Sequence, residues 1–239
     1  MKNSIKNIIS ASIIVSLTLS GCDALRRTSN QNKGIIIGGA SGGAIGGVVG
    51  SQVGDKNNTA LGAIIGAVVG GVAGGIIGSK MDRQAEKIKT EVPGAKVERV
   101  GEGIDVTFDE NNPDGSKAGV YFSSDKYNIS SNSELALNKL QKIFAEYPET
   151  NILIEGHTDD VGAESYNTKL SKNRANAVGN HLKAQGISSS RLIVKWYGES
   201  QPKVDNTSAE NRALNRRVQF VITANEKMKE EAKKEATKN

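Results

Sequence analysis

The chain has 239 residues, 27 of them glycine, and a formal net charge of +5. This length accommodates one or two compact domains. Its basic residues form no run or stripe of the kind that nucleic-acid-binding proteins use, so binding to nucleic acid is not expected. A single cysteine, Cys22, excludes a disulfide within the chain.

The first 21 residues have the layout of a secretory signal peptide. Lys2 and Lys6 supply positive charge, and the apolar run from Ile8 to Leu19 is too short to span a membrane comfortably. The letters LSGC that end at Cys22 resemble the bacterial lipobox, whose cysteine becomes the lipid-carrying first residue of the mature protein. This resemblance implies lipidation of Cys22, which anchors the protein to a lipid bilayer. The polar residues 22–33 then form the lipidated N-terminus and a spacer.

Residues 34–79 hold 16 of the 27 glycines, in two charge-free stretches, Gly34–Gly54 and Ala60–Ser79. Glycine recurs at every fourth position, which places each row on one helix face and allows close packing of helices in a membrane. In water, each glycine costs a helix about 1 kcal/mol relative to alanine, whereas hydrocarbon forces the backbone to satisfy its own hydrogen bonds. We therefore expect a membrane-associated helical hairpin, with a flexible linker or a glycine-rich strand region as the alternative. The segment resembles the two-helix glycine-zipper domains of bacterial envelope proteins, and a homo-oligomer is a possible consequence.

Residues 80–114 are interpreted as a connector between this hairpin and a C-terminal domain. The charged run at 80–91 predicts a short helix that ends at Pro93 and Gly94. Apolar residues alternate with polar ones from Val97 to Phe108 around a glycine-containing turn, which predicts a β-hairpin.

Strands and helices alternate through residues 115–224, which indicates an α+β domain with one mixed sheet and helices on one face. The long helix is expected to stop at Gly186, and Ser131 or Ser133 is the candidate N-cap of the first helix. The Lys- and Glu-rich residues 225–239 predict a solvated tail that can be helical. The predicted elements are strand 119–122, helix 130–147, strand 151–155, helix 164–185, strand 191–197, helix 211–215 and strand 217–223.

One motif in this domain carries a functional signal. The letters GHTDDVG at 156–162 follow a strand, NxxLSxxRA follows at 167–175 on a helix, and NRRV stands at 215–218. These residues resemble the OmpA-like C-terminal domain, a module that binds peptidoglycan without catalysis. The resemblance implies an OmpA-C-like βαβαβ sandwich, here preceded by the glycine-rich helical hairpin.

The proposed ligand is the zwitterionic centre of a diaminopimelate-type stem peptide, which carries an ammonium beside a carboxylate. Asn167, Ser171 and Arg174 are spaced four and three residues apart, so they share one helix face. By the resemblance, the planar guanidinium of Arg174 binds the carboxylate and Asp159 binds the ammonium. The same resemblance adds Asn167, the loop backbone near Val161 and Gly162, Asp125 and Arg216.

These residues also have other interpretations. An internal salt bridge between Asp159 and Arg174 is the structural alternative to a binding site, although surface pairs contribute only about 0–1 kcal/mol. His157 with Asp159 and Asp160 lacks the spacing of known metal-ligand sets, so no metal is expected. Asn215 and Arg217 are expected to be structural. No nucleophile–base pair and no phosphate-binding loop appear in the sequence, so neither an enzyme nor a cofactor is expected.

The sequence therefore predicts a membrane-anchored lipoprotein that holds the cell wall. The alternative is a glycine-zipper scaffold or pore-type assembly factor that uses the wall only as an anchor. A stator-type ion motor is disfavoured because both glycine-rich stretches lack an ionisable residue. We expect an outer-membrane protein facing the periplasm. The inner membrane is the alternative because Asp23, next to the lipidated cysteine, retains lipoproteins there in some Gram-negative bacteria.

Overall fold

A computed structural model describes residues 69–108, Val120, Phe122 and 126–238. The expectations for the signal peptide, Cys22, the first glycine-rich stretch and Asp125 lie outside the described residues. The predicted strand 119–122 also lies largely outside them.

The described residues form a five-stranded mixed sheet. Its strands are β1 (Ala95–Val100), β2 (Gly103–Phe108), β3 (Thr150–His157), β4 (Leu192–Gly198) and β5 (Val218–Ala224), in the order β1-β2-β5-β3-β4. Only β3 and β4 are parallel, and the other three neighbouring pairs are antiparallel. The predicted mixed sheet is confirmed. The predicted connector hairpin, now β1 and β2, extends this same sheet because β2 pairs with β5.

Five helices accompany the sheet within the described ranges. They are α1 (Gly71–Glu91), α2 (Ser131–Glu146), α3 (Glu164–Ala184), α4 (Ala209–Asn215) and α5 (Glu226–Ala236), with a 3-10 turn at Ser189–Arg191. Alternate residues of the central strands face the helices, among them Ile152 and Ile154 of β3 and Phe220 of β5, all fully buried. Leu140 and Phe144 of α2 complete this core. The N-cap of helix α2 is Ser130, whose hydroxyl accepts from the Ser133 amide, and not Ser131 or Ser133, the serines predicted as caps.

Helix α1 is one continuous helix that crosses the predicted boundary between the second glycine-rich stretch and the connector. Its apolar residues Ala73, Ile77, Met81 and Ala85 follow a four-residue spacing and are buried against α5, β1 and α2. The helix therefore begins at Gly71 instead of Lys80. Among the described residues, no helix combines the length and the apolar character that a membrane span requires.

The Lys- and Glu-rich C-terminal segment differs from the predicted solvated tail. It forms α5, which packs along α1 and buries Met228 and Ala232 to 1% exposure. These two residues are four positions apart and therefore share one helix face. A narrow apolar stripe in an otherwise charged segment is enough to dock the helix on the domain.

Candidate ligand-binding site

The loop that follows β3 is held between two neighbouring strands. The backbone amide of His157 donates to the carbonyl of Arg217 at 3.0 Å, at the start of β5. The amide of Thr158 donates to the carbonyl of Gly198 at 2.9 Å, at the end of β4. These bonds fix the direction in which the chain leaves the sheet. They place the carboxylate of Asp159 beyond the C-terminal end of β3.

Asp159 forms an ion pair with a second predicted site residue. Its Oδ2 accepts from Nη1 of Arg216 at 2.7 Å, and its Oδ1 accepts from the backbone amide of Val161 at 3.3 Å. The side chain of Asp159 is 11% exposed, whereas that of Arg216 is 35% exposed. Among the described residues, the ion pair of Asp159 is therefore with Arg216 and not with Arg174.

Asn167 joins the loop to the first turn of α3. Its Nδ2 lies 3.3 Å from the carbonyl of Asp159, 3.2 Å from that of Val161 and 2.5 Å from Oε2 of Glu199. The residue is buried, at 2% exposure. Glu199 was missed by sequence reasoning. The available signal was its position directly after β4. The C-terminal end of this strand lies beside that of its parallel neighbour β3.

Close backbone packing holds α3 against the ends of β3 and β4. A Cβ at Gly156 would lie 2.3 Å from the carbonyl oxygen of Ser171, so only glycine fits there. The Ser171 hydroxyl accepts from the amide of Gly198 at 3.0 Å and donates to the carbonyl of Thr168 at 2.9 Å. Ser171 thus serves to fasten the helix that carries Asn167 and Arg174.

Arg174 lies one turn further along the buried face of α3. It is 5% exposed, and its Nε donates to the carbonyl of Lys126 at 3.1 Å. Its guanidinium also stands over the ring of Phe122, 5.3 Å from the centroid. Arg174 therefore connects α3 to Phe122 and Lys126.

The rim of the site is formed by the loop itself. Val161 is 63% exposed, and Gly162 has a φ of 106°, a left-handed backbone conformation that favours glycine. Next to the buried Asp159 and Asn167, the exposed residues Val161 and Gly162 and the partly exposed Arg216 form this rim.

Behind the site, polar side chains share the sheet face that is turned away from the helices. Gln219 donates to Asp105 at 2.9 Å and accepts from Nε of Arg217 at 3.1 Å. Burial raises the pKa of Asp105 to about 6 and lowers the pKa of Arg217 to about 10. Burial, with the nearby Arg217 charge, also holds the pKa of His157 well below its usual range. Hydrogen bonds thus link Arg217, Gln219 and Asp105 at the start of β5, immediately after Arg216.

Asn215 fastens the chain on the other side of Arg216. Its Oδ1 accepts from the amides of Lys203 and Val204, and its Nδ2 donates to the carbonyl of Val204 and to Oδ1 of Asn206. The residue is fully buried. Arg216 therefore projects from a segment fixed on both flanks, so the position of its guanidinium is set by the fold.

Comparison with known proteins gives two family matches. Residues 121–216 match the OmpA family, and residues 1–82 match the YMGG-like Gly-zipper. Outer membrane porin F of Pseudomonas aeruginosa is 43% identical over 109 residues, which cover 45% of this chain and 31% of the porin. Probable lipoprotein YiaD of Escherichia coli is 30% identical over 145 residues, which cover 60% of this chain and 63% of YiaD. The chain therefore spans under two thirds of either relative.

Solved structures give the same picture of the fold. The structure of a MotB-like protein from Desulfovibrio vulgaris superposes with a TM-score of 0.53 at 26% identity, covering 62% of this chain and 93% of that one.

Proposed function

Since the chain carries an OmpA-family domain behind a YMGG-like Gly-zipper segment, we propose that it is a non-catalytic envelope lipoprotein that ties a membrane to the cell wall by binding peptidoglycan. The recognised group is the zwitterionic centre of a diaminopimelate-type stem peptide. The single observation that carries this proposal is the pair of opposite charges on Asp159 and Arg216, which Asn167 joins to the helix that carries Arg174.

Each charge has a role in this proposal. Asp159 binds the ammonium of the ligand, and Arg174 binds its carboxylate through the planar guanidinium. Arg216 already neutralises Oδ2 of Asp159 at 2.7 Å, so the ligand ammonium shares this carboxylate with a guanidinium. Asn167, Asp125 and the backbone of Val161 and Gly162 supply further hydrogen bonds.

The membrane end of the proposal rests on the N-terminal sequence. A lipidated Cys22 and the glycine-rich stretches place the protein at a bilayer, and the outer membrane, with the domain in the periplasm, is the proposed location. The inner membrane is the alternative location, because Asp23 directly follows Cys22. One relative, YiaD, carries the description of a lipoprotein in its name, and this agrees with the proposal.

A pull-down on purified peptidoglycan tests the binding function. The full chain in detergent is incubated with diaminopimelate-type sacculi, which are sedimented, and the bound fraction is measured. We expect Asp159→Ala and Arg174→Ala to lose binding. Matched controls remove the same charge from an exposed neighbour, Asp160→Ala and Lys169→Ala, and are expected to bind like the unaltered chain. Binding retained by both site variants would overturn the site assignment.

A second candidate function, an oligomeric zipper scaffold, is favoured by one feature of α1. The helix exposes Gly71, Gly75 and Ser79 on one face, with Val72 62% exposed beside them. Small residues at four-residue spacing allow close contact between helices in membranes. The two functions are compatible, and Gly75→Leu separates them. This variant is expected to lower the oligomer mass in detergent while leaving peptidoglycan binding intact.

A further inference from the structure

The amide of Asn167 has a fixed orientation. Three oxygen atoms surround its Nδ2, namely the carbonyls of Asp159 and Val161 and Oε2 of Glu199. All three can only accept hydrogen bonds, because two are carbonyls and the third belongs to a carboxylate. If the amide were rotated by 180°, its own oxygen would face these three acceptors and no hydrogen bond could form. The nitrogen therefore faces inward, and the carbonyl oxygen Oδ1 faces away from this cluster.

The outward oxygen lies beside the exposed rim of the site. A Cβ built on Gly162 would stand 4.0 Å from Oδ1 of Asn167. Asn167 thus presents an acceptor, and not a donor, on the side from which a ligand approaches. An acceptor at this place suits the ammonium of a zwitterionic ligand and not its carboxylate.

Glu199 makes the shortest of the three contacts, at 2.5 Å, and it is the one charged acceptor among them. Hydrogen bonds to an ionised acceptor are stronger than those between neutral groups. The other two contacts are 3.3 and 3.2 Å long and come from one loop. Glu199 comes from the end of β4, so it ties that strand to the amide.

We propose that Asn167 accepts a hydrogen bond from the ligand ammonium, beside Asp159, and that Glu199 is the positioning residue that fixes the orientation of the Asn167 amide. This inference rests on the proposed recognition of a zwitterionic centre. It assigns the ammonium half of the site to Asp159, Asn167 and Glu199, and it leaves the carboxylate half to Arg174.

The test compares two ligands on the full chain in detergent. One is a stem tripeptide that ends in meso-diaminopimelate, and the other is the same tripeptide ending in 2-aminopimelate, in which hydrogen replaces the side-chain amine. We expect Glu199→Ala to weaken binding of the unmodified peptide about five- to tenfold, the value of one hydrogen bond. Binding of the 2-aminopimelate peptide, which has no donor for this acceptor, is expected to stay as weak as in the unaltered chain. The ratio of the two affinities therefore falls.

Two further variants separate position from charge. Glu199→Gln keeps an acceptor oxygen and removes the charge, and it is expected to restore most of the affinity ratio. Glu164→Gln removes one charge from an exposed residue at the start of α3 and is expected to change neither affinity.

The outcomes are distinguishable. Equal loss of both affinities in Glu199→Ala indicates a merely structural residue and overturns the inference, as does an unchanged ratio. Absence of binding of the unmodified peptide to the unaltered chain overturns the proposed function itself.

Discussion

Nη1 of Arg216 lies 2.7 Å from Oδ2 of Asp159, which joins the loop after β3 to the segment that leads into β5. These residues are separated by 57 positions in the chain. The acid of the site is thus charge-paired before any ligand arrives. A cationic ligand group must share this carboxylate, and a neighbouring acceptor such as Oδ1 of Asn167 becomes important for holding it.

This ion pair has a measurable coupling. Arg216→Ala leaves the largely buried Asp159 carboxylate without its guanidinium, and we expect the free energy of unfolding to fall by about 1–2 kcal/mol. Because the arginine is 35% exposed, the loss stays modest. A double-mutant cycle with Asp159→Ala, followed by urea unfolding, is expected to give a coupling of about 0.5–1 kcal/mol. Strictly additive effects would show that the pair contributes nothing.

Gly156 is expected to tolerate no side chain. A methyl group there meets the Ser171 carbonyl at 2.3 Å, so Gly156→Ala forces α3 away from β3 and costs roughly 2–3 kcal/mol. The matched control is Gly78→Ala in α1, where a Cβ meets nothing within 4 Å. That variant should gain about 1 kcal/mol from helix propensity. Similar melting temperatures for the two variants would contradict the packing described for α3.

Gln84 is a buried polar residue in α1 whose loss is expected to be favourable. It is fully buried, and neither atom of its amide has a hydrogen-bond partner in the described part of the chain. An unsatisfied buried amide costs about 1–3 kcal/mol. Gln84→Leu, which has a similar volume, should raise the free energy of unfolding by about 1–2 kcal/mol. A decrease in urea-unfolding stability would show that the amide has a partner in solution.

Asp105 makes the stability of the protein depend on pH in a defined direction. Burial raises its pKa in the folded state from 3.8 to about 6, so the folded chain binds more protons than the unfolded chain between these values. Stability contributed by this group is therefore lost as pH rises from about 4 to about 6. Asp105→Asn keeps an acceptor for Gln219 and removes this loss.

The comparison is made at two pH values. The free energy of unfolding of Asp105→Asn, relative to that of the unaltered chain, should be about 1–2 kcal/mol higher at pH 7.5 than at pH 4, because Asp105 is only partly buried. His157 titrates with the opposite sign, and its contribution is common to both proteins. Parallel pH profiles for the two proteins would contradict the assignment to Asp105.

Local patterns in the sequence predicted part of this structure correctly. The helix predicted for 164–185 spans Glu164–Ala184, and Gly186, at a φ of 93°, follows its C-cap residue Gln185. The hairpin of β1 and β2 also follows from alternation and a glycine turn. Such signals depend on residues that are close together in sequence, so periodicity and turn residues are enough to find them.

Pairings between distant segments left no such signal. Nothing local indicates that β2 lies beside β5, or that Asp159 pairs with Arg216. Glu199 was missed because its role depends on the amide of Asn167, 32 positions away. The extent of α1 was underestimated because its glycine-rich first part and its charged second part differ in composition. One four-residue spacing of apolar residues nevertheless runs through both parts.

The proposed site reads a zwitterionic side-chain centre, and a competition between two stem peptides tests this recognition. The full chain is bound to diaminopimelate-type sacculi and challenged with a stem tripeptide ending in meso-diaminopimelate, or with the same peptide ending in lysine. The lysine side chain offers the ammonium without the neighbouring carboxylate. Release by the diaminopimelate peptide and not by the lysine peptide at equal concentration is predicted. Equal release by both peptides, or release by neither, would contradict the account.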